Sequence, residues 1–396
     1  MSALLGTVVV VGAGVFGAAT ALELRERGYG VTLIDRGPLP HPDASSTDIS
    51  KMVRMDYGSD VFYHELAEAA LDGWDRWNAD WPDRLYHDDQ FLVITKGLME
   101  PGGFEYESHR VLLERGYAPE RIGGAELSRR CPAWNGDRYP DGYLSPRGGW
   151  AESGAVVARL LRLCQEAGVH LATATFEAIA ATGSRVRGVR STTGETLPAD
   201  HVIVCAGAWT PAVIPWLRGT LKAVAQPVLH FGVERPNDFR GRRFPPFAAD
   251  ISGSGWYGFP ATDDGRVKLG HHGNGREVHP DHPGEVDPRH VELARDFLAE
   301  SLPPLAGAPV VGTRVCMYCD SIDGDLLIAR DPDRDGLVIA AGGSGHAFKF
   351  APVIGGIVAD VAEGKANRWS DRFAWRTSGS PRTEEARFHS PTGTER

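Results

Sequence analysis

The chain has 396 residues, 42% of them hydrophobic, and a formal net charge of −10 from 42 Lys and Arg against 52 Asp and Glu. A chain this long is expected to form two or three domains whose cores need no covalent staples, and an acidic balance without a long basic run argues against a nucleic-acid partner. No stretch approaches the ~18 uninterrupted apolar residues of a membrane span. The five cysteines do not resemble a secreted disulfide framework, and residues 1–5 run into an apolar strand rather than a charged-then-apolar leader, so a cytoplasmic enzyme is expected.

Val8 to Val11 is an apolar β-branched run, read as a strand buried on both faces, and Gly12, Gly14 and Gly17 follow in G-x-G-x-x-G spacing. Gly12 permits a tight turn, Gly14 lets backbone approach a pyrophosphate, and Gly17 lets a helix from about Val15 to Arg27 pack on the sheet. That helix aims free amides and a positive dipole end at phosphates. Tyr29 to Ile34 reads as a second strand, and Asp35 after it is placed to accept ribose hydroxyls. The parts in this order predict an adenosine diphosphate site, common to FAD and NAD; a plain buried βαβ unit is the competing reading.

A polar loop, His41 to Ser50, leads to a helix over Val61 to Asn78, a strand over Gln90 to Thr95 and a helix over Glu105 to Arg115. Pro132 to Gly149 is dense in Pro, Gly and Trp and reads as an irregular crossing. Helical spacing over Ala155 to Ala167 ends at Gly168, and the strand His201 to Cys205 with Ala206-Gly207 signals a return to the nucleotide domain. From Val224 to about Leu302 strands alternate with turns at Ser252 to Gly255 and Asp263 to Gly265, with one helix near Val291 to Glu300. A second glycine-rich strand-to-helix turn spans Gly336 to Val361. The expected fold class is α/β, or α+β with two domains: a Rossmann-like domain from 1–82, 150–216 and 316–372, interleaved with a mixed-sheet substrate domain from 83–149 and 217–315. Composition after Arg372 predicts a flexible tail over 373–396.

Four stretches carry a family resemblance: GAGVFG at the first turn; SSTDISKMVRMDYG from Ser45 to Gly58; WYGFP with GRVKLGHH between Trp256 and His272; and RVCMYCDSIDGDLLI from Arg314 to Ile328, leading into GGSGHAFKF. Through them the chain from Val8 to about Ala366 resembles the flavin-dependent amine oxidases of the sarcosine oxidase, N-methyltryptophan oxidase and amadoriase group. The resemblance implies FAD rather than NAD, held by Gly12, Gly14, Val15, Phe16, Gly17, Asp35, Arg36, Ser45, Ser46, Gly343, Ser344, Gly345, His346 and Lys349. A helix N-terminus after Gly343 would favour negative charge at the edge of the reduced ring. By pattern alone Cys316 is an apolar strand cysteine of the core; the resemblance implies that its thiolate is bonded to the flavin 8α-methyl carbon. Cys316 and Cys319 also spell C-x-x-C, but a strand puts residues three apart on opposite faces and no second pair exists, so no redox pair and no metal is expected.

Lys268 alternates with Val267 and Leu269 and by pattern reads as a solvated strand lysine. The resemblance implies that it stands over the flavin, where a fixed positive charge stabilises developing superoxide. It also implies a substrate-side His272, aromatic pocket walls from Tyr257 and Tyr318, and a carboxylate clamp of Arg54 and Lys349, two residues whose pattern also fits a surface arginine and an interfacial lysine. Thr47 and Lys51 depart from the histidine and arginine of sarcosine-type enzymes, and Asp48-x-x-Lys51 resembles the amadoriases. The implied activity is FAD-dependent oxidation of a carboxylate-bearing amine, such as an N-methyl or N-glycated amino acid, to an imine that hydrolyses, with O2 reduced to H2O2. The expected partners are a small amine and oxygen, and the chain is expected to be a monomer or weak oligomer. A tailoring oxidase or dehydrogenase of a primary or cyclic amine, or a flavin subunit of a heteromeric sarcosine oxidase, are the alternatives.

Overall fold

The computed structural model describes residues 4–379 and 381–389. Thr7–Val11 (β1) lies inside a six-stranded sheet in the order Leu327–Arg330, Leu337–Ala341, His201–Val204, β1, Gly30–Asp35 (β2), His170–Thr173. All pairings are parallel except that of Leu327–Arg330 with Leu337–Ala341. The run of valines is explained by alternation, because both faces of a parallel strand are covered. Val8 and Val10 pack with helix Val15–Glu26 (α1) and helices Ser153–Glu166 and Ala351–Glu363, whereas Val9 and Val11 pack with Val186 and Val189 of an antiparallel three-stranded sheet on the other side. That small sheet, Phe176–Thr182, Arg185–Ser191 and Thr196–Pro198, lies in a stretch for which the sequence predicted no element.

The glycine turn has the geometry its spacing predicts. Gly12 holds φ +102°, and a Cβ on Gly17 would stand 1.7 Å from the Gly12 carbonyl oxygen, so only hydrogen there lets α1 seat on the turn.

A second sheet of nine strands runs Arg276–Glu277, Leu221–Gly232, Arg266–His271, Trp256–Phe259, Phe247–Ala249, Phe91–Thr95, Asp141–Ser145, Glu120–Arg121, and Val310–Ser321 also pairs with Leu221–Gly232. Cys316 lies in the middle of Val310–Ser321, opposite Gln226, so the expected boundary at 316 falls within one continuous strand that pairs with the substrate sheet. From its end the chain passes through residues 322–326 into Leu327–Arg330, the edge strand of the six-stranded sheet. Two further differences are local: Asp141–Ser145 is a strand inside the stretch read as irregular, and Ile251–Ser254 closes into a short helix where a turn is predicted.

The described part of the expected flexible tail is packed. Phe373 and Ala386 are buried, Arg372 bridges Asp60 and Asp325, Arg376 pairs with Asp323, and Arg387 is buried against Asp320. Composition registers low hydrophobicity here; it does not register that Asp320 at the end of its strand and Asp323 and Asp325 on the loop that follows face these arginines. Residues 380 and 390–396 of that expected tail lie outside the described residues. Among the described residues no helix is long and apolar enough to cross a membrane.

Candidate active site

A cavity of about 450 Å³ opens where the two glycine-rich turns meet, lined by Gly12, Gly14, Val15, Phe16, Asp35, Arg36, Ser45 and Ser46 from the first half and by Cys316, Gly343 and Gly345 from the second. Asp35 accepts a 2.7 Å hydrogen bond from the Ala13 amide, so its carboxylate also braces the glycine turn. Ser46 Oγ accepts from the Val15 amide at 3.2 Å and caps α1, while Ser45 donates to the Met317 carbonyl. Arg36 pairs with Asp281 and lies over the Trp209 ring, 4.7 Å from its centroid. Gly17 keeps its packing role and does not line the cavity. The cavity's lining from both ends of the chain, the glycine cradle and the anion-favouring start of α1 fit FAD.

Cys316 reaches this cavity from its strand, and Lys51 Nζ stands 3.3 Å from its sulfur, an ammonium positioned to stabilise charge there. Cys319 lines the same cavity and is pushed up to about 12 by burial, and no disulfide forms among the five described cysteines.

Lys51, Tyr318, Gly345 and Phe348 also line a second cavity of about 70 Å³, so the two spaces share a wall. Into the smaller one come Lys268 and His272 from one strand and its exit, Tyr257 from the neighbouring strand, and Arg54, His346 and Lys349 from two separate loops. Lys268 is 1% exposed, which removes the solvated reading. Its ammonium donates to Ser50 O and meets Asp48 Oδ2, both at 2.6 Å. Burial lowers Lys268 to about 8, with Asp48 opposing the drop. Burial alone would raise Asp48; Lys268, His230 and Lys51 instead hold it well below the usual carboxylate range. A charged lysine therefore persists in an apolar setting because a buried carboxylate sits against it.

Lys349 Nζ donates to Tyr57 Oη at 2.7 Å and to the His346 carbonyl, and Tyr57 Oη meets His346 Nδ1 at 3.0 Å. Burial, then Arg54, pushes Lys349 well below its ordinary value, and burial takes His346 to about 4. Arg54 stacks over Tyr57 at 4.9 Å and pairs with Glu384 Oε1 at 2.6 Å. Glu384 Oε2 lies 3.3 Å from His272 Nε2, and His272 Nδ1 is 3.4 Å from Tyr318 Oη. Burial keeps His272 below the ordinary imidazole value and raises both tyrosine hydroxyls.

Besides Gly17, three expected site residues fall elsewhere, and Lys349, also expected to hold the cofactor, lines only the smaller cavity. Thr47 turns its hydroxyl to the carbonyls of His41 and Ala44, at 2.7 and 2.8 Å, and lines neither cavity. Ser344 bonds within its own loop, to Gly342 O and the Ser321 amide, and His346 borders the smaller cavity rather than the larger. The helix expected directly after Gly343 begins at Ala351, because Ser344 and Gly345 take positive φ and a short 3₁₀ turn intervenes. Glu384 was not foreseen; only its place in the fold reveals it. Asp48 was legible as part of Asp-x-x-Lys, although its contact with Lys268 was not.

The family described as FAD dependent oxidoreductase (DAO) matches residues 7–361. Monomeric sarcosine oxidase from Bacillus sp. (strain B-0618) is 28% identical over 364 residues, covering 90% of this chain and 91% of its own. N-methyl-L-tryptophan oxidase from Salmonella agona is 28% identical over 372 residues, covering 90% and 94%. The crystal structure of amadoriase I from Aspergillus fumigatus superposes with a TM-score of 0.83 at 23% identity over 99% of this chain and 95% of its own, which shows a shared fold. With a nucleotide cavity built from the first and last glycine turns and a family match running from β1 to the final helix, this chain belongs to the DAO family of FAD-dependent oxidoreductases.

Proposed function

We propose that the chain oxidises an amine that carries a carboxylate, such as an N-methyl or N-glycated amino acid, to an imine that hydrolyses, with O2 reduced to H2O2. The observation that carries this reading is the convergence of Arg54 and Lys349, from opposite ends of the sequence, on the cavity that also holds Lys268, His272, Tyr257 and Tyr318. The relatives named for sarcosine and N-methyl-L-tryptophan, over nine-tenths of the chain, support the same substrate class. Bound FAD supplies the two-electron acceptor that oxygen reoxidises.

The chain's own residues divide the remaining work. Arg54 and Lys349 orient the carboxylate through charge-assisted hydrogen bonds. Tyr257 and Tyr318 wall the amine and exclude water, and His272, uncharged at neutral pH, leaves the amine free of a competing cation. Lys268, kept charged by Asp48, stabilises negative charge developing on oxygen. Cys316 Sγ, beside the Lys51 ammonium, is the residue for a thioether to the flavin. The enzyme acts in the cytoplasm on free small molecules, as a monomer or weak oligomer. Screening the purified yellow protein against N-methyl and N-fructosyl amino acids for peroxide, and precipitating it in acid, tests the reading. Peroxide with these amines and flavin retained in the pellet are expected; colourless pellets would remove the thioether, and no turnover the substrate class.

One observation favours a second reading, an amine without a carboxylate at this end: Arg54 already carries an internal anion, Glu384.

A further inference from the structure

Glu384 lies on the C-terminal strap, over three hundred residues from Arg54 in sequence, yet its carboxylate lines the smaller cavity and is 6% exposed. The segment that carries it is tied down on every side. Arg382 pairs with Asp325 at 2.7 Å, and its amide donates to Ile322 O; the Glu385 carboxylate accepts from the Ser59 hydroxyl at 2.8 Å; Arg387 is buried against Asp320; and the Phe388 amide donates to His272 O. These anchors hold Glu384 in place without requiring that it touch Arg54. Arg54 in turn offers two guanidinium nitrogens to this space: Nη2 is taken by Glu384, and Nη1 is buried with no hydrogen-bond partner. Glu384 Oε2 likewise has no hydrogen-bond donor beyond the His272 ring nitrogen 3.3 Å away.

We infer that Glu384 is a specificity-determining residue, a carboxylate that the chain supplies to its own clamp and against which a substrate carboxylate competes. The inference rests on the proposed role of Arg54 and Lys349. An incoming carboxylate has two routes: it displaces Glu384 from Nη2, or it binds Nη1 and lies a few ångströms from Glu384. The first loses a buried ion pair and the second sets like charges side by side in a low-dielectric site. Both penalise a carboxylate close to the amine, and neither penalises an uncharged group. The penalty follows from the fraction of time the internal pair is open: a clamp open for ~1–10% of the time weakens apparent carboxylate affinity by about 10- to 100-fold.

The test is ligand binding to the flavin-loaded protein, read as perturbation of the flavin absorbance and as a shift in melting temperature, with acetate and acetamide as probes. In Glu384→Gln, acetate should bind about 10- to 100-fold more tightly than in the wild type while acetamide changes by less than about threefold. The KM for N-methyl amino acids should fall by a similar factor. Arg382→Ala, which loosens the strap at a half-exposed ion pair, should move acetate affinity in the same direction by a smaller factor. Acetate binding that is equal or weaker in both variants, with melting temperatures near wild type, would overturn the inference while leaving the clamp intact. Absence of acetate binding in every protein, together with no oxidation of N-methyl amino acids, would overturn the proposed substrate class and the inference with it.

Discussion

Lys268 shows how one side chain changes meaning between sequence and fold. Alternation put it opposite Val267 and Leu269, which suits a solvated lysine, yet the other face of this strand is also buried, and the ammonium rests between Asp48 and the Ser50 carbonyl. An unpaired ammonium at that depth would lose its proton; Asp48 keeps the charge available. Lys268→Met should slow reoxidation of the reduced flavin by oxygen by about 10²-fold or more, the scale of removing one preorganised electrostatic partner, while anaerobic reduction by substrate slows far less. With the wild type, oxygen reactivity should be full below pH ~8 and decline as pH rises through about 8, because the proton that carries the charge is lost there. Stopped-flow traces with unchanged oxygen reactivity in the variant, or a flat profile from pH 6 to 10, would remove Lys268 from that step.

At the level of elements, the most consequential piece is the strap formed by residues 371–379 and 381–389. Most of its amino acids are polar or charged, and its order comes from ion pairing together with a few buried anchors, Phe373 and Ala386, rather than from a continuous hydrophobic face. The Arg387–Asp320 pair is almost fully buried, and Arg387 also donates to the Ser344 carbonyl of the second glycine turn. Arg387→Ala leaves Asp320 buried and uncompensated and should cost about 3–5 kcal/mol of stability, read as a lowered midpoint in urea unfolding. A midpoint within about 0.5 kcal/mol of wild type would show that the strap is not held by this pair. Elements marked by a motif or an internal period were legible: the glycine turn places a helix over Val15 to Arg27 and apolar spacing one over Val61 to Asn78, and the chain forms them over Val15–Glu26 and Val61–Asp80. Elements that depend on distant partners were not. The hairpin sheet from Phe176 to Pro198 carries mixed, half-exposed residues with weak alternation, and the strap carries no period at all. The site divides the same way. Residues embedded in recognisable stretches, such as Cys316, Lys268 and Arg54, could be nominated from sequence, whereas Glu384 acquires its role only when the chain end is folded over the cavity.

For the whole molecule, buried His64 and His346 and half-buried His271 set the acid limit of stability. Burial takes His64, His271 and His346 each to about 4 from an ordinary 6.5. Between those values the unfolded chain binds the protons that the folded chain refuses, so stability is present above pH ~6.5 and is lost as pH falls toward about 4, by on the order of 3 kcal/mol for each histidine. The depressed carboxylates of Asp48 and Glu384 continue the loss below that range in the same direction. Melting temperatures should fall steeply between pH 6.5 and 4; a flat profile there would contradict this burial. Where the two sheets meet, one cavity bounded by both glycine turns shares a wall with a smaller cavity lined by Arg54 and Lys349, the proposed carboxylate clamp. The most direct measurement mixes the anaerobic yellow protein with N-methyl amino acids and with the matching N-methylamines that lack the carboxylate, and follows bleaching of the flavin. Rapid bleaching by the amino acids, with the matching amines at least about 10-fold less effective, is the expected result for two clamp bonds of about 1.5–3 kcal/mol each, net of the roughly 10- to 100-fold cost of opening the Arg54–Glu384 pair; bleaching by the carboxylate-free amines alone would contradict a carboxylate clamp.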